Sequence, residues 1–195
     1  MRWVKMGKSL SNYQAFINKK EDRFRLGLVD LLYISNFKGG NGAIHEHEED
    51  LAKKLVPYSN LLVQISLQFG TLELAQLSNI QTAALIGLLE NLPSYTSDAK
   101  TSIDGFKISY LSALYHAYFP NLIPILDRRV LIGTSIITKP NQLRNGQVIA
   151  IHKYFPELIM KMQLLSRSSG KSLRELDGLN FEKALPPWAK PKLKK

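Results

Sequence analysis

The stretch Ile103-Asp-Gly-Phe-Lys107-Ile-Ser-Tyr-Leu-Ser-Ala-Leu-Tyr-His-Ala-Tyr-Phe-Pro120-Asn-Leu-Ile-Pro124-Ile-Leu-Asp127-Arg-Arg-Val130 decides the fold. Between Phe106 and Phe119 apolar residues stand on nearly every side of a helical wheel, the pattern of a central helix enclosed by others. Gly105 marks a turn before it, Lys107 falls in its first turn, and Pro120-Asn121 ends it. Leu122 to Leu126 reads as a short return, and Asp127 as the cap of a further helix running to about Ile136. From Lys107 to Phe119 a helix advances about 18 Å, and the residues from Asn121 to Asp127 can return up to about 23 Å, so Lys107 and Asp127 can meet at one end.

Helical periodicity extends outward from this centre in both directions. After a polar start, Arg23 to Phe37 repeats apolar residues and stops at Gly39-Gly40. Glu48 to Phe69 is a second helical region, broken or restarted at Pro57. Ser78 caps a helix through Asn91, closed by Pro93, and Thr96 to Asp104 is a polar loop. Val148 to Arg167 and Ser172 to Leu185 are the last helices, the latter opened by the capping box Ser172 and Glu175. Strand signals are confined to one small β-hairpin at most, near 133–151, around Asn145-Gly146. The expected fold is therefore all-α: a single helical domain over 1–185, followed by a basic, proline-broken tail over 186–195.

Composition narrows the function. The 195 residues hold no cysteine, which excludes disulfides, thiol nucleophiles and iron–sulfur ligation and fits a reducing interior. Apolar stretches such as Leu55 to Leu72 and Ile108 to Leu126 are interrupted by proline, asparagine and glutamine, so no membrane span is expected. The opening residues show no signal-peptide core, and the expected location is the cytoplasm. Against 16 acidic residues stand 26 Lys plus Arg, a formal charge of +10, which favours an anionic partner and nucleic acid before phospholipid.

The central stretch resembles the helix-hairpin-helix DNA glycosylase superfamily, and within it the 8-oxoguanine DNA glycosylases. In that family a glycine-containing hairpin precedes a helix bearing the catalytic lysine, and a Pro-apolar-Asp element about twenty residues later supplies an essential aspartate. Gly105, Lys107, Pro120, Pro124 and Asp127 fall in the matching places, over about 30 residues of the chain. The hairpin has one glycine where the family commonly has two, and Pro124-Ile-Leu-Asp127 is one residue longer than the usual element. The resemblance implies a helix-hairpin-helix-like core, a DNA partner, no cofactor, and an enzyme that flips a damaged nucleotide out of the stack. Lys107 is then the candidate Schiff-base nucleophile. Asp127 is the carboxylate that stabilises positive charge on the sugar, and Gly105, Arg128 and Arg129 are candidates for holding flanking phosphates.

The same residues carry a plainer reading, in which Asp127 only caps a helix, Lys107 is a solvated first-turn residue, and the chain is a non-catalytic nucleic-acid-binding or protein-interaction domain. Lys38, Gly39 and Gly40 form a secondary candidate, a glycine loop whose amides could cradle a phosphate, set against the ordinary end of a helix. His45 and His47 lack the spacing of a helical zinc pair, so no metal site is expected. His116 reads as a hydrogen-bonded core histidine.

Overall fold

Apolar residues recur at three- and four-residue spacing along most of the chain, and helix follows helix. The structure, a computed structural model, describes residues 2–40 and 44–190, with side chains from Gly7 onward. Its helices are α1 (Arg2–Ile17), α2 (Leu28–Phe37), α3 (Glu48–Phe69), α4 (Asn79–Leu89), α5 (Asn91–Ser97), α6 (Ile108–Tyr118), α7 (Arg128–Gly133), α8 (Phe155–Ser169) and α9 (Leu173–Glu182). An antiparallel pair, β1 (Leu143–Arg144) and β2 (Gln147–Val148), is the sheet found among the described residues. The fold is all-α with one small hairpin. No helix in the described residues is long and apolar enough to cross a membrane.

Helix α6 lies at the centre, as its all-round apolar pattern requires, and every residue from Leu111 to Tyr118 is buried. Helices α1 and α2 pack on it and on each other, α5 also touches it, and α8 joins α9 to α4. Of the buried polar side chains of α6, Ser112, Tyr115 and His116 bond to backbone, while Tyr118 bonds to the Asp30 carboxylate. Tyr115 donates to Tyr58 O (2.8 Å), Ser112 Oγ accepts the Leu126 amide (2.9 Å), and His116 Nδ1 lies 2.7 Å from Ile123 O. Ser112 and His116 stand four residues apart on one face, so together they strap the return segment along the helix and fix where Asp127 emerges.

At the other end of α7 the chain runs hard against α9. A Cβ added at Gly133 would lie 2.1 Å from the Asn180 carbonyl oxygen, so only glycine permits this crossing. Lys183 seals it by donating to Gly133 O (2.6 Å) and to Asn180 Oδ1 (2.8 Å).

Several boundaries differ from expectation. The polar start forms α1, held because Leu10, Tyr13 and Ile17 are buried against its neighbours. Segment 23–27 is not helical: Asp22 Oδ1 accepts the amides of Phe24 and Arg25, and α2 begins only after Gly27. Helix α3 passes through Pro57 unbroken; the carbonyl deprived of its amide belongs to exposed Lys53, where water can take it. Pro93 sits in the first turn of α5, where a missing amide costs little, so it extends the helical run where closure was expected. Helix α7 stops at Gly133, short of Ile136, and the 133–138 segment is not a strand. The hairpin does turn at Asn145-Gly146, both at positive φ (51° and 75°), pairing Leu143 with Val148 and Arg144 with Gln147. Helix α8 starts at Phe155 after a 3-10 turn over Ile151–Tyr154, and packing continues beyond 185, with Trp188 against the core and Ala189 buried. The tail lysines 192, 194 and 195 lie outside the described residues, as does Gly42.

A candidate site around Asp127 and Lys38

Asp127 enters the site as the N-cap of α7, its Oδ1 accepting the Arg129 amide at 2.8 Å. Both readings of this residue thus meet in one carboxylate: the cap uses one oxygen and leaves the other for a partner. That partner is Lys38, whose Nζ lies 2.8 Å from Oδ2, across 89 positions of sequence. The end of α2 puts it there. Gly40 N–H reaches back to Ser35 O (2.7 Å) and Gly39 adopts φ 101°, a glycine-closed helix terminus that turns the chain sharply after Lys38. Side-chain exposure is 10% for Lys38 and 22% for Asp127, so the pair sits at the protein surface but is mostly enclosed. Burial pushes the Asp127 carboxyl upward. Lys38, with the Arg129 amide and the Arg128 charge, outweighs that effect and holds it below the usual carboxylate value. Asp127 is therefore an anion at neutral pH.

Behind the pair lies a chain of buried polar groups from α9 and α6. Asp177 is 1% exposed; its Oδ2 accepts from Arg174 at 3.4 Å and its Oδ1 has no partner among the described residues. Burial, opposed by Arg174 and helped by the Asp127 charge, raises Asp177 to about 7. His116 is held down to about 4 by burial, with the Arg174 charge adding to the effect against the hydrogen bond to Ile123. The imidazole is neutral, and its Nε2 is buried without a partner among the described residues. Sequence reading missed Asp177, yet the signal was present: Leu173, Leu176, Asp177, Asn180 and Phe181 occupy the inward stripe of α9, and an acid on that stripe must be buried.

The remaining candidates scatter. Gly105, at φ 74°, makes the turn before α6 as expected, and Lys107 is the N-cap of that helix with an exposed side chain. Lys107 makes no ion pair with Asp127. It lines a cavity of about 430 Å³ with Pro93, Ser94, Thr96, Ser97 and His152, a set that includes neither Asp127 nor Lys38. Arg128 donates to Gly146 O and braces the hairpin, while the Arg129 guanidinium lies 4.7 Å from the Phe181 ring centroid, a cation–π contact with α9. Lys38, Gly39 and Gly40 are continuous with the Asp127 site, which joins the primary and secondary candidates of the sequence into one place. Glu46 is held low, against its burial, by the Asp104 amide (2.9 Å) and by Lys54 (3.3 Å), and so ties the segment after residue 43 to the turn before α6. Comparison with protein-family models, curated proteins and solved structures finds no match to this chain.

Proposed function

We propose that the chain is a DNA glycosylase-like enzyme that flips a damaged base and removes it, with lyase capacity through a lysine Schiff base. The observation that carries the proposal is Asp127: an ionised carboxylate at a helix N-terminus, anchored to α6 by the Leu126–Ser112 hydrogen bond, paired with Lys38 and open to solvent over 22% of its side chain. A fixed anion of this kind stabilises the oxocarbenium-like charge that grows on deoxyribose as the base departs with the bonding electron pair. Lys38 keeps the carboxylate charged and oriented. The amine of Lys107 attacks C1′; ring opening then releases O4′ as a hydroxyl and leaves an imine. Arg128 and the formal charge of +10 favour a phosphate backbone as partner.

A second reading rests on the placement of Lys107 in a cavity that Asp127 does not line. It makes the chain a non-catalytic, nucleic-acid-binding helical domain. Base release across a panel of damaged duplexes, with borohydride trapping of the lysine adduct, separates the two. Product or adduct that disappears in Lys107→Ala supports the enzyme. Salt-sensitive DNA binding with neither supports the second reading, and no DNA binding at low salt overturns both.

A further inference from the structure

The hairpin between α7 and α8 turns on Asn145-Gly146, a pair in which an asparagine carboxamide and the next backbone nitrogen can react with each other. Both residues are exposed and both hold positive φ, 51° and 75°. Gly146 has no side chain to screen its nitrogen, and neither its amide nor the Asn145 carboxamide makes a hydrogen bond among the described residues. The ladder around them is minimal, Leu143 with Val148 and Arg144 with Gln147. So short a hairpin opens at little cost, which frees the backbone to bring nitrogen and carbonyl carbon together. Asn141 supplies the contrast. It is equally exposed, but the residue after it is Gln142, whose side chain screens the nitrogen and whose amide donates to Lys139 O at 3.2 Å.

We propose that Asn145-Gly146 is a self-modification site, at which the turn converts to isoaspartate and aspartate and thereby changes the setting of Arg128. The Gly146 nitrogen, its proton lost to solvent base, attacks Asn145 Cγ. A nitrogen–carbon bond forms, the Cγ–Nδ2 bond breaks, and ammonia leaves with a proton returned from solvent, so the chain holds a five-membered succinimide. Water, the one co-reactant, then opens the ring. Addition at the Asn145 backbone carbonyl leaves the main chain running through the former side chain, as isoaspartate; addition at Cγ leaves aspartate. No electron is gained or lost. The change falls directly on a brace of the candidate site. Arg128 donates to Gly146 O, and its Nη1 would lie 3.5 Å from a Cβ at Gly146. Isoaspartate adds a carbon to the main chain of a two-residue turn, whose length fixes the pairing of Arg144 with Gln147. Either product adds a carboxylate beside Arg128, which exchanges a neutral carbonyl for a charged oxygen. Because Arg128 follows Asp127 at the start of α7, the charge around that carboxylate changes as the molecule ages. The inference is independent of the glycosylase-like reading.

The test is to age the isotope-labelled full chain at body temperature and mildly alkaline pH, and to follow it by tryptic mapping with fragmentation that tells isoaspartate from aspartate. The second Asn-Gly pair of the sequence, at 41 and 42, lies outside the described residues and falls in a different peptide. Asn145 should convert at least tenfold faster than Asn141, with isoaspartate among the products, and Gly146→Ala should slow it at least tenfold. In parallel, amide NMR should show the resonances of 143–148 and the Arg128 side-chain N–H moving as conversion proceeds. Should Gly146→Ala disturb the hairpin, Asn145→Gly keeps a residue suited to positive φ and removes the carboxamide; its hairpin and Arg128 resonances should stay unchanged on ageing. Conversion at Asn145 no faster than at Asn141, aspartate formed without isoaspartate, or equal rates with Gly146→Ala would overturn the proposal. So would converted protein whose Arg128 resonance has not moved, or the same drift on ageing in Asn145→Gly.

Discussion

Two lysine–aspartate pairs flank α2, and they are built to different specifications. Lys20 donates to both oxygens of Asp30, at 3.0 and 2.9 Å, to Arg25 O and to the Tyr118 hydroxyl. Asp30 also receives Tyr13 (2.9 Å), Tyr118 (3.1 Å) and the Gly27 amide (2.9 Å), and it is 2% exposed. Every hydrogen-bonding direction of that pair is occupied, so it can only hold α1 to α2 and α6. Lys38, by contrast, donates to Asp127 Oδ2 and to no other acceptor among the described residues, and Asp127 remains 22% exposed. A saturated pair is a fastener. An unsaturated, partly exposed pair has capacity to bind something else, and that difference points to Asp127 and away from Asp30 as the candidate site.

The largest effect should come from breaking the fastener. Asp30→Ala strands the Lys20 ammonium beside two tyrosines, and a loss of about 3–5 kcal/mol in denaturant unfolding is expected. Gly133→Ala should rank next. Its methyl meets Asn180 backbone, and a cost of about 3 kcal/mol is expected together with shifted Arg129 and Asp177 amide resonances, because α7 must lift from α9. Asp127→Ala removes a cap and an ion-pair partner that is partly solvated, so about 1–2 kcal/mol is expected, with complete loss of any base-release activity. If Asp127→Ala proved as destabilising as Asp30→Ala, the distinction between the two pairs would collapse.

The polar chain behind Asp127 gives a pH-dependent refinement. His116, held at about 4 against an ordinary 6.5, lets the unfolded chain bind the extra proton between those values, so its contribution makes stability rise with pH there. Asp177, raised to about 7 from 3.8, keeps a proton in the fold that the unfolded chain has lost, so its contribution makes stability fall with pH across that range. The slopes oppose, each up to about 1.4 kcal/mol per pH unit, and these two contributions should nearly cancel between about pH 4.5 and 6.5. Asp177→Asn should unmask the rising limb of His116, read by urea midpoints across that range. The smallest effect should be that of Lys107→Ala, within about 0.5 kcal/mol, since the side chain is exposed and carries no ion pair.

How much of this was legible in sequence follows the range of each interaction. Helix α6 was readable because its pattern is complete within its own turns, and the Ser172–Glu175 box and the Asn145-Gly146 turn are likewise local chemistry. Helix α1 was not, because a thin stripe of Leu10, Tyr13 and Ile17 forms a stable helix only once Lys20 and Asp30 clamp the following turn. Pro57 misled because an exposed proline needs only a hydrated carbonyl to remain in a helix. Lys38 and Asp127 were each singled out for separate reasons, but their pairing spans 89 residues and belongs to tertiary structure. Asp127 was the more legible of the two, since its role as a cap is written in the residues that follow it.

The open carboxylate of Asp127 is proposed to serve lysine chemistry on DNA. Incubation with a duplex holding a single abasic site, in borohydride, measures it without knowledge of the damaged base. A covalent protein–DNA band is expected in the native chain and should be abolished by Lys107→Ala, whereas Asp127→Asn, whose missing charge is needed only while a base departs, should keep the band and lose at least a hundredfold of base release from a duplex that still carries the base. A band undiminished by Lys107→Ala, no band in the native chain, or base release undiminished by Asp127→Asn would contradict this.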